Sequence, residues 1–143
     1  MGDRTVNILL VEDDEVDVMN VRRAFRKMDI TNPLYVAKNG LDALELLRGS
    51  DGKKAAIPSD RRIILLDLNM PKMNGIEFLE ELRADPSLRS IPVIVLTTSD
   101  EAQDRMDAYR FHVAGYILKP VTFTNFVEMM ATLNRYWSLC EIM

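Results

Sequence analysis

Cysteine is nearly absent from the sequence, and long apolar runs are missing altogether. The single cysteine, Cys140, has no partner for an internal disulfide in this chain of 143 residues, which argues against a disulfide-stabilised secreted domain. No apolar stretch approaches the roughly 20 residues that a membrane-spanning helix needs. Met1–Thr5 also lacks the basic-then-apolar pattern of a signal peptide. We therefore expect a cytoplasmic protein with no membrane attachment.

An excess of positive charge is missing as well. The 18 lysines and arginines are outnumbered by 22 aspartates and glutamates, which gives a net charge of −4 at pH 7. This balance argues against nonspecific nucleic-acid binding, so no direct nucleic-acid partner is expected. What is present is an ordinary globular composition, with 48% apolar and 28% charged residues. A chain of this length is enough for one compact domain with its own core.

Apolar runs alternate with segments of helical periodicity along the chain. The apolar runs predict strands at Val6–Val11, Leu34–Ala37, Ile63–Leu66, Val93–Leu96 and Gly115–Leu118. Helical spacing of apolar residues predicts helices over Glu15–Met28, from Leu41, from Ile76, from a Ser99 or Asp100 cap to about His112, and from about Thr124 to Leu139. This alternation predicts an α/β fold, with a doubly wound five-stranded parallel sheet and helices on both faces.

Two segments exceed what such a sheet requires. The polar stretch Gly49–Arg62 predicts an extended surface loop. In the last helix, the apolar residues expected to face the core are Phe123, Phe126, Val127, Met130 and Leu133. The residues expected to leave further apolar surface are Met129, Tyr136, Trp137, Leu139, Ile142 and Met143. Such surface indicates either a partner-binding patch or a tail folded back onto its own domain, and the sequence leaves both open.

Polar side chains with complementary chemistry follow several of the predicted strands. They are Glu12–Asp14 after the first strand, Asp67 after the third, Thr97–Ser99 after the fourth and Lys119 after the fifth. Because the carboxyl ends of parallel strands meet at one edge of the sheet, we expect these groups to form one site. Taken singly, each has a structural explanation, such as a helix cap, a turn or a solvated lysine. Taken together, they favour a functional site.

The chemistry of this set is that of phosphoryl transfer. Crowded carboxylates repel one another unless a cation lies among them, and their oxygen atoms suit magnesium. A lysine and a threonine hydroxyl that face the same point can stabilise the charge on a transferred phosphoryl group. A carboxylate can itself attack phosphorus and form an aspartyl phosphate. The pattern therefore predicts transfer of a phosphoryl group from a donor onto an aspartate.

Four segments, in this order, resemble the receiver domains of two-component response regulators. They are Ile8–Asp14 (ILLVEDD), Leu65–Pro71 (LLDLNMP), Pro92–Thr97 (PVIVLT) and Gly115–Pro120 (GYILKP). The resemblance covers almost the whole chain. It implies a flavodoxin-like sheet in the order 2-1-3-4-5. It also implies a single receiver domain over residues 1–143, with its core at about 5–139 and no separate effector domain.

The resemblance implies a role for each residue that matches a metal or phosphate position. Asp67 matches the aspartate that accepts the phosphoryl group. Asp13 and Asp67 match direct ligands of Mg²⁺, or of Mn²⁺ in its place. Glu12 matches a ligand that acts through water, and the backbone carbonyl of Asn69 matches a further ligand. Lys119 matches the lysine that pairs with the phosphoryl group.

The remaining matches concern signalling and the lifetime of the phosphorylated state. Thr97 matches the switch hydroxyl that turns toward the phosphoryl group, and Tyr116 matches the switch aromatic that follows it. The Lys119–Pro120 bond is expected to be cis. Asn69 and Ser99, two places beyond the acceptor and the switch hydroxyl, match positions that tune how water reaches the phosphoryl group. We therefore expect them to set the autodephosphorylation rate.

As a whole, the resemblance implies a signalling switch and not an enzyme with an external substrate. Such a domain accepts a phosphoryl group from a sensor histidine kinase, catalyses only its own phosphorylation and autodephosphorylation, and signals to a protein partner by conformational change. The long loop and the Leu133–Trp137 segment (LNRYW) resemble single-domain regulators that serve phytochrome kinases. Because receivers commonly dimerise through the fourth helix, fifth strand and fifth helix, we expect a homodimer through that face.

Two other functions of the same fold stay open at this stage. A flavodoxin-like cofactor-binding protein would need a hydroxyl- and glycine-rich phosphate loop after the first strand, where this chain has Glu12–Asp14. An aspartyl-phosphate phosphohydrolase with Asp67 as nucleophile would need a general acid two residues further on, where this chain has Asn69. Both positions favour the receiver.

Overall fold

The computed structural model describes residues 5–142 of the chain. Its strands and helices alternate as β1 (Asn7–Val11), α1 (Glu15–Lys27), β2 (Leu34–Ala37), α2 (Gly40–Arg48), β3 (Arg62–Leu66), α3 (Gly75–Ala84), β4 (Val93–Thr97), α4 (Ala102–Arg110), β5 (Gly115–Leu118) and α5 (Phe123–Leu139). The predicted alternation of strands and helices is therefore confirmed. Met143, which was predicted to contribute apolar surface, lies outside the described residues.

All five strands run parallel, and their order is 2-1-3-4-5, as predicted. The central strands β1, β3 and β4 are buried along their whole length. Their register brings the carboxyl ends level with one another, because Val11 pairs with Leu66 and Leu66 pairs with Val95. Residues that come directly after these strands therefore meet at one edge of the sheet, where ligands bind in folds of this kind.

Alternate residues of the central strands face two separate apolar cores. In β3, Ile63 and Leu65 belong to the core that α1 and α5 cover. Ile64 and Leu66 belong to the opposite core, which α2, α3 and α4 cover. Because both faces of the sheet are buried, the central strands need apolar residues at every position, and this is why they are continuous apolar runs in the sequence.

The long connection between α2 and β3 is a loop, as predicted, but it ends one residue earlier than expected. Arg62 is the first residue of β3. Most of the loop is exposed, whereas Ile57 is buried in the core on the α2 side. The Ile57 amide donates to the Leu46 carbonyl of α2 at 3.3 Å. The loop is thus anchored to the domain at one apolar side chain.

The start of α4 differs from the prediction. The helix begins at Ala102 with Glu101 as its N-cap, not after Ser99 or Asp100, and it ends at Arg110. The Glu101 side chain makes no capping hydrogen bond. Ser99 lies two residues before the N-cap, and its polar groups bind residues of β4, β5 and the N-terminal part of α4. Those bonds are described with the site below.

The prediction that Trp137 contributes exposed apolar surface is wrong. Its side chain is fully buried, and its ring lies 6.4 Å from the ring of Phe25, centroid to centroid. Trp137 follows the core residue Leu133 by four positions, which places both on one helix face. Ile142 also packs on this core, whereas Leu139 is 84% exposed. The tail is thus partly folded back. Across residues 5–142, no helix has the length and apolarity to cross a bilayer.

Candidate functional site

The site lies where β1 and β3 end side by side. The Asp67 amide donates to the Val11 carbonyl at 3.0 Å, and the Glu12 amide donates to the Ala37 carbonyl at 2.9 Å. These bonds continue the ladder of the sheet by one residue past each strand. They fix the backbone of both acidic residues, so that their carboxylates stand next to each other at the edge of the sheet.

Three carboxylates form the acidic part of the site. Glu12, Asp13 and Asp67 each offer one oxygen atom, and these atoms all lie within 4.8 Å of one another. Glu12 and Asp67 are buried, whereas Asp13 is exposed. Burial raises the pKa of Glu12 to about 7, and the nearby charge of Asp67 adds to this effect while Lys119 opposes it. A donor set made only of oxygen atoms, with this much confined negative charge, fits a hard divalent cation.

Asp14, the third residue of the acidic run, has a different role. Its carboxylate accepts hydrogen bonds from the amides of Val16, at 2.8 Å, and Asp17, at 3.4 Å. These contacts make it the N-cap of α1. Glu12 in turn accepts the Asp14 amide at 3.2 Å. Of the run Glu12–Asp14, therefore, the first two residues face the site and the third starts the helix.

Lys119 is the cation at the centre of these acids. Its ammonium nitrogen Nζ lies 2.5 Å from Glu12, 2.7 Å from Asp17 and 3.5 Å from Asp67. Burial on its own lowers the pKa of Lys119, but hydrogen bonds to Asp17 and Glu12 and the charge of Asp67 outweigh burial and raise the pKa above its usual range. Lys119 is therefore charged, and it links the end of β5 to the ends of β1 and β3.

Asp17 is the site residue that sequence reasoning missed. It belongs to the first turn of α1, three residues after the Asp14 cap, where an acidic residue is ordinary for a helix N-terminus. Only the packing of α1 on the sheet turns its carboxylate toward Lys119. The position of Asp17, three residues after Asp14, was the one available signal in the sequence. It fits an acid that stabilises the helix N-terminus as well as an acid that pairs with a lysine, so it did not identify Asp17 as a site residue.

The predicted switch residues are joined through Ser99. Thr97 ends β4 and is fully buried, and its hydroxyl oxygen accepts the Ser99 amide at 3.2 Å. The Tyr116 hydroxyl of β5 donates to the Ser99 carbonyl at 2.9 Å. Partial burial raises the pKa of Tyr116, and the Arg105 guanidinium lies 5.7 Å from the centre of its ring. Two side chains on neighbouring strands are thus tied to one loop residue.

Asn69 and the bond after Lys119 complete the site. The Asn69 amide donates to the Asp67 carboxylate at 3.4 Å, and the residue is otherwise exposed. The predicted cis bond between Lys119 and Pro120 is wrong, because the structure has a trans bond there. Trans is the lower-energy isomer of such bonds by about 0.5–1 kcal/mol, and Lys119 reaches the acids without the cis form.

The arrangement defines a class of site: an acidic cluster whose oxygen atoms could hold a divalent cation, next to a charged lysine, at the carboxyl edge of a doubly wound sheet. Comparison with known proteins identifies the family. Residues 8–131 match the family described as response regulator receiver domain. The chain belongs to this family, whose members act as signalling switches that take phosphoryl groups from histidine kinases and bind divalent metal at an acidic pocket. Neither the flavodoxin-like nor the phosphohydrolase alternative finds support.

Relatives of known name and structure span nearly the whole chain. The sequence is 38% identical over 130 residues to the probable methanogenesis regulatory protein FilR2 of Methanothrix harundinacea, covering 91% of this chain and 82% of that protein. The structure resembles that of the phosphorylated cyanobacterial phytochrome response regulator RcpA, with a TM-score of 0.86, 32% identity, and coverage of 96% and 98% of the two chains. It also resembles the Mn²⁺-bound form of response regulator Rcp1, with a TM-score of 0.83, 32% identity, and coverage of 96% and 99%. In sequence, Rcp1 of Synechocystis is 35% identical over 130 residues, covering 91% of this chain and 87% of Rcp1.

Proposed function

We propose that this receiver accepts a phosphoryl group from a sensor histidine kinase on Asp67, in a reaction that requires Mg²⁺. The observation that carries the proposal is the position of Asp67, a buried carboxylate that lies both in the acidic cluster and 3.5 Å from the Lys119 ammonium. Asp13 is exposed, and Glu12 is already bound to Lys119 at 2.5 Å. Asp67 is therefore the acid best placed to act as a nucleophile toward phosphorus.

The same cluster supplies the ligands for the cation. In the proposal, Asp13 and Asp67 bind Mg²⁺ directly, Glu12 acts through a water molecule, and Asn69 contributes its backbone carbonyl. Mn²⁺ can take the same place, as the Mn²⁺-bound form of the relative Rcp1 supports. When bound, the cation offsets the negative charge of the acids and of the incoming phosphate. Both ions favour oxygen ligands, and the cluster offers only those.

The transfer itself needs one nucleophile and charge neutralisation. An Asp67 oxygen forms the bond to phosphorus while the bond from phosphorus to the donor nitrogen of the kinase histidine breaks, and the histidine leaves as imidazole. Lys119 then shifts from Glu12 and Asp17 toward the new phosphoryl oxygens. The Thr97 hydroxyl donates to the same group. Stabilisation of charge on the equatorial oxygens is the main contribution that a protein can make to such a step.

Signalling follows from the movement of Thr97. Its hydroxyl now accepts the Ser99 amide, so a turn toward Asp67 exchanges that bond for one to the phosphoryl group. Tyr116, held to the Ser99 carbonyl, then changes position with the loop. Phosphorylation adds about 1.5 to 2 negative charges at neutral pH, which is enough to bias a two-state element of this kind. Asn69 and Ser99 set the rate at which water removes the group.

We further propose a phytochrome as the kinase and a homodimer as the assembly. The names of RcpA and Rcp1 support the first, because both relatives are response regulators and RcpA is a phytochrome response regulator. Exposed apolar side chains on α4 and β5 support the second, namely Met106, Tyr109 and Leu118. β5 also lies at the edge of the sheet, and an exposed apolar edge is a common place for association.

Phosphorylation by a small donor tests the central proposal. The protein is incubated with Mg²⁺ and acetyl phosphate, and intact mass is compared for the native protein, Asp67→Asn and Asp51→Asn. Asp51→Asn is the matched control, because it alters an exposed acid of the long loop outside the acidic cluster. Native protein and Asp51→Asn should each gain one phosphoryl group, and Asp67→Asn should gain none. A stable phosphoryl group on Asp67→Asn would overturn the assignment.

Size-exclusion chromatography of Met106→Ser and Tyr109→Ser tests the dimer.

A further inference from the structure

Ser99 uses every one of its polar groups to hold other residues. Its amide binds the Thr97 hydroxyl and its carbonyl binds the Tyr116 hydroxyl, as described above. Its own hydroxyl Oγ lies 2.5 Å from the Asp104 carboxylate. The same Ser99 Oγ also accepts the Glu101 amide at 3.4 Å. A carboxylate is an acceptor only, so the Ser99 hydroxyl is the donor to Asp104. One serine thereby joins strands β4 and β5 to the first turn of α4.

The contact to Asp104 matters because few other contacts fix the start of α4, among them the Arg105 guanidinium over the Tyr116 ring and its ion pair with Asp100 at 3.6 Å. Glu101, the N-cap, makes no side-chain hydrogen bond, and α4 buries just one of its residues, Ala108. Asp104 lies in the first turn, where a negative charge is favourable on its own account. Its hydrogen bond to Ser99 is charge-assisted, and such bonds are about twice as strong as neutral ones. The Ser99–Asp104 pair is therefore a main attachment of the α4 N-terminus to the sheet.

We propose that Asp104 is a positioning residue for the phosphorylation reaction, acting through Ser99. By fixing the Ser99 hydroxyl, Asp104 holds the Ser99 amide on Thr97 and so keeps Thr97 in its resting position. This inference rests on the proposed function, since it requires Thr97 to leave Ser99 when Asp67 is phosphorylated. Loss of the Asp104 carboxylate frees Ser99, lowers the cost of that movement and shifts the population toward the state that reacts with a phosphate donor.

The test compares five variants with native protein, one of them Ser99→Ala alone. Asp104→Ala removes the acceptor, and Asp104→Asn keeps one acceptor oxygen and should restore most of the native behaviour. Asp107→Ala is the matched control, because Asp107 is on the same helix and binds Gln103, at 2.7 Å, away from Ser99. Ser99→Ala/Asp104→Ala tests the route through Ser99. The initial rate of labelling by acetyl phosphate and Mg²⁺ should rise about three- to tenfold in Asp104→Ala. The rate should equal that of native protein in Asp107→Ala, and the rate of the double variant should equal that of Ser99→Ala.

A second measurement does not depend on phosphorylation. In the ¹H–¹⁵N NMR spectrum of ¹⁵N-enriched, unphosphorylated protein, the Ser99 amide resonance should shift in Asp104→Ala and not in Asp107→Ala. Failure of native protein to take a label, with this NMR shift present, would refute the proposed function and leave the Ser99–Asp104 contact standing. Labelling of native protein with equal rates in Asp104→Ala and Asp107→Ala would refute the role of Asp104 alone. An additional effect of Asp104→Ala in the Ser99→Ala background would refute the route through Ser99.

Discussion

Gly75 lies directly against the backbone of Asp67. A Cβ atom built on Gly75 would come within 2.6 Å of the Asp67 carbonyl oxygen and within 2.7 Å of the Leu68 Cα. The Gly75 amide also donates to the Leu68 carbonyl at 3.0 Å. The first residue of α3 is thus packed against the loop that carries the proposed phosphate acceptor, and any side chain there must displace that loop.

Substitution of Gly75 should therefore affect both stability and phosphorylation. Gly75→Ala forces backbone atoms apart, which costs about 1–3 kcal/mol for overpacking, and it moves Asp67 relative to Asp13. We expect a lower free energy of unfolding in urea and slower labelling by acetyl phosphate. Gly115→Ala is the control, since its nearest neighbour would be Ile94 Cγ2 at 4.0 Å. Equal stability of the two variants would contradict the packing described.

Magnesium should stabilise the folded protein through the acidic cluster. At a free concentration ten times its dissociation constant, a ligand that binds only the folded state adds about 1.4 kcal/mol. We expect the melting temperature to rise with Mg²⁺ and the rise to vanish in Asp13→Asn. Glu15→Gln, which alters an exposed acid of the α1 first turn outside the cluster, should keep the full response. A rise that persists in Asp13→Asn would place the cation elsewhere.

Asp85 should contribute stability that depends on pH. Hydrogen bonds from Ser87, and then from Arg48, hold the pKa of the Asp85 carboxyl below its usual value. A carboxyl with a lowered folded-state pKa adds stability above its unfolded pKa of about 3.9, and that stability is lost as pH falls through the folded value. Asp85→Asn should therefore melt below native protein at pH 7 and approach it in acid. Glu81→Gln, whose contact with Arg48 is longer and more exposed, should show little difference at either pH.

Trp137 should be the residue that most firmly attaches the α5 tail. It is fully buried beside Phe25, so Trp137→Ala should cost about 3–5 kcal/mol. Within the described residues, its indole nitrogen has no hydrogen-bond partner, so Trp137→Phe should lose packing volume and no hydrogen bond. Leu139→Ala, at an 84% exposed position, should stay within about 0.5 kcal/mol. Chemical unfolding followed by circular dichroism measures all three, and equal losses at both positions would contradict the burial.

Residues whose position in the fold follows from apolar runs or helical spacing in the sequence were predictable. The central strands are apolar at every position because both faces are buried, and the topology then brings Glu12, Asp13, Asp67 and Lys119 to one edge of the sheet. The burial of Trp137 was also within reach, because it continues the face of Leu133 by one helical turn. There the prediction failed by placing the residue on the wrong side of a regular helix.

Other features depend on contacts between distant parts of the chain. Asp17 pairs with Lys119, which directly follows β5 and lies 102 positions further along the chain. Ser99 binds Tyr116, 17 positions later, through its carbonyl, and α4 begins only at Ala102. The close approach of Gly75 to Asp67 is likewise set by how α3 docks on the sheet. No periodicity or motif encodes these pairings, so they required the folded structure.

The most direct test of the account is to locate the phosphoryl group. Protein labelled with acetyl phosphate and Mg²⁺ is treated with borohydride, which reduces an aspartyl phosphate to homoserine, and its peptides are then sequenced by mass spectrometry. The account predicts homoserine at position 67 and unchanged aspartate at positions 13 and 17. Reduction at position 13, or a phosphorylated protein in which Asp67 remains intact, would contradict it.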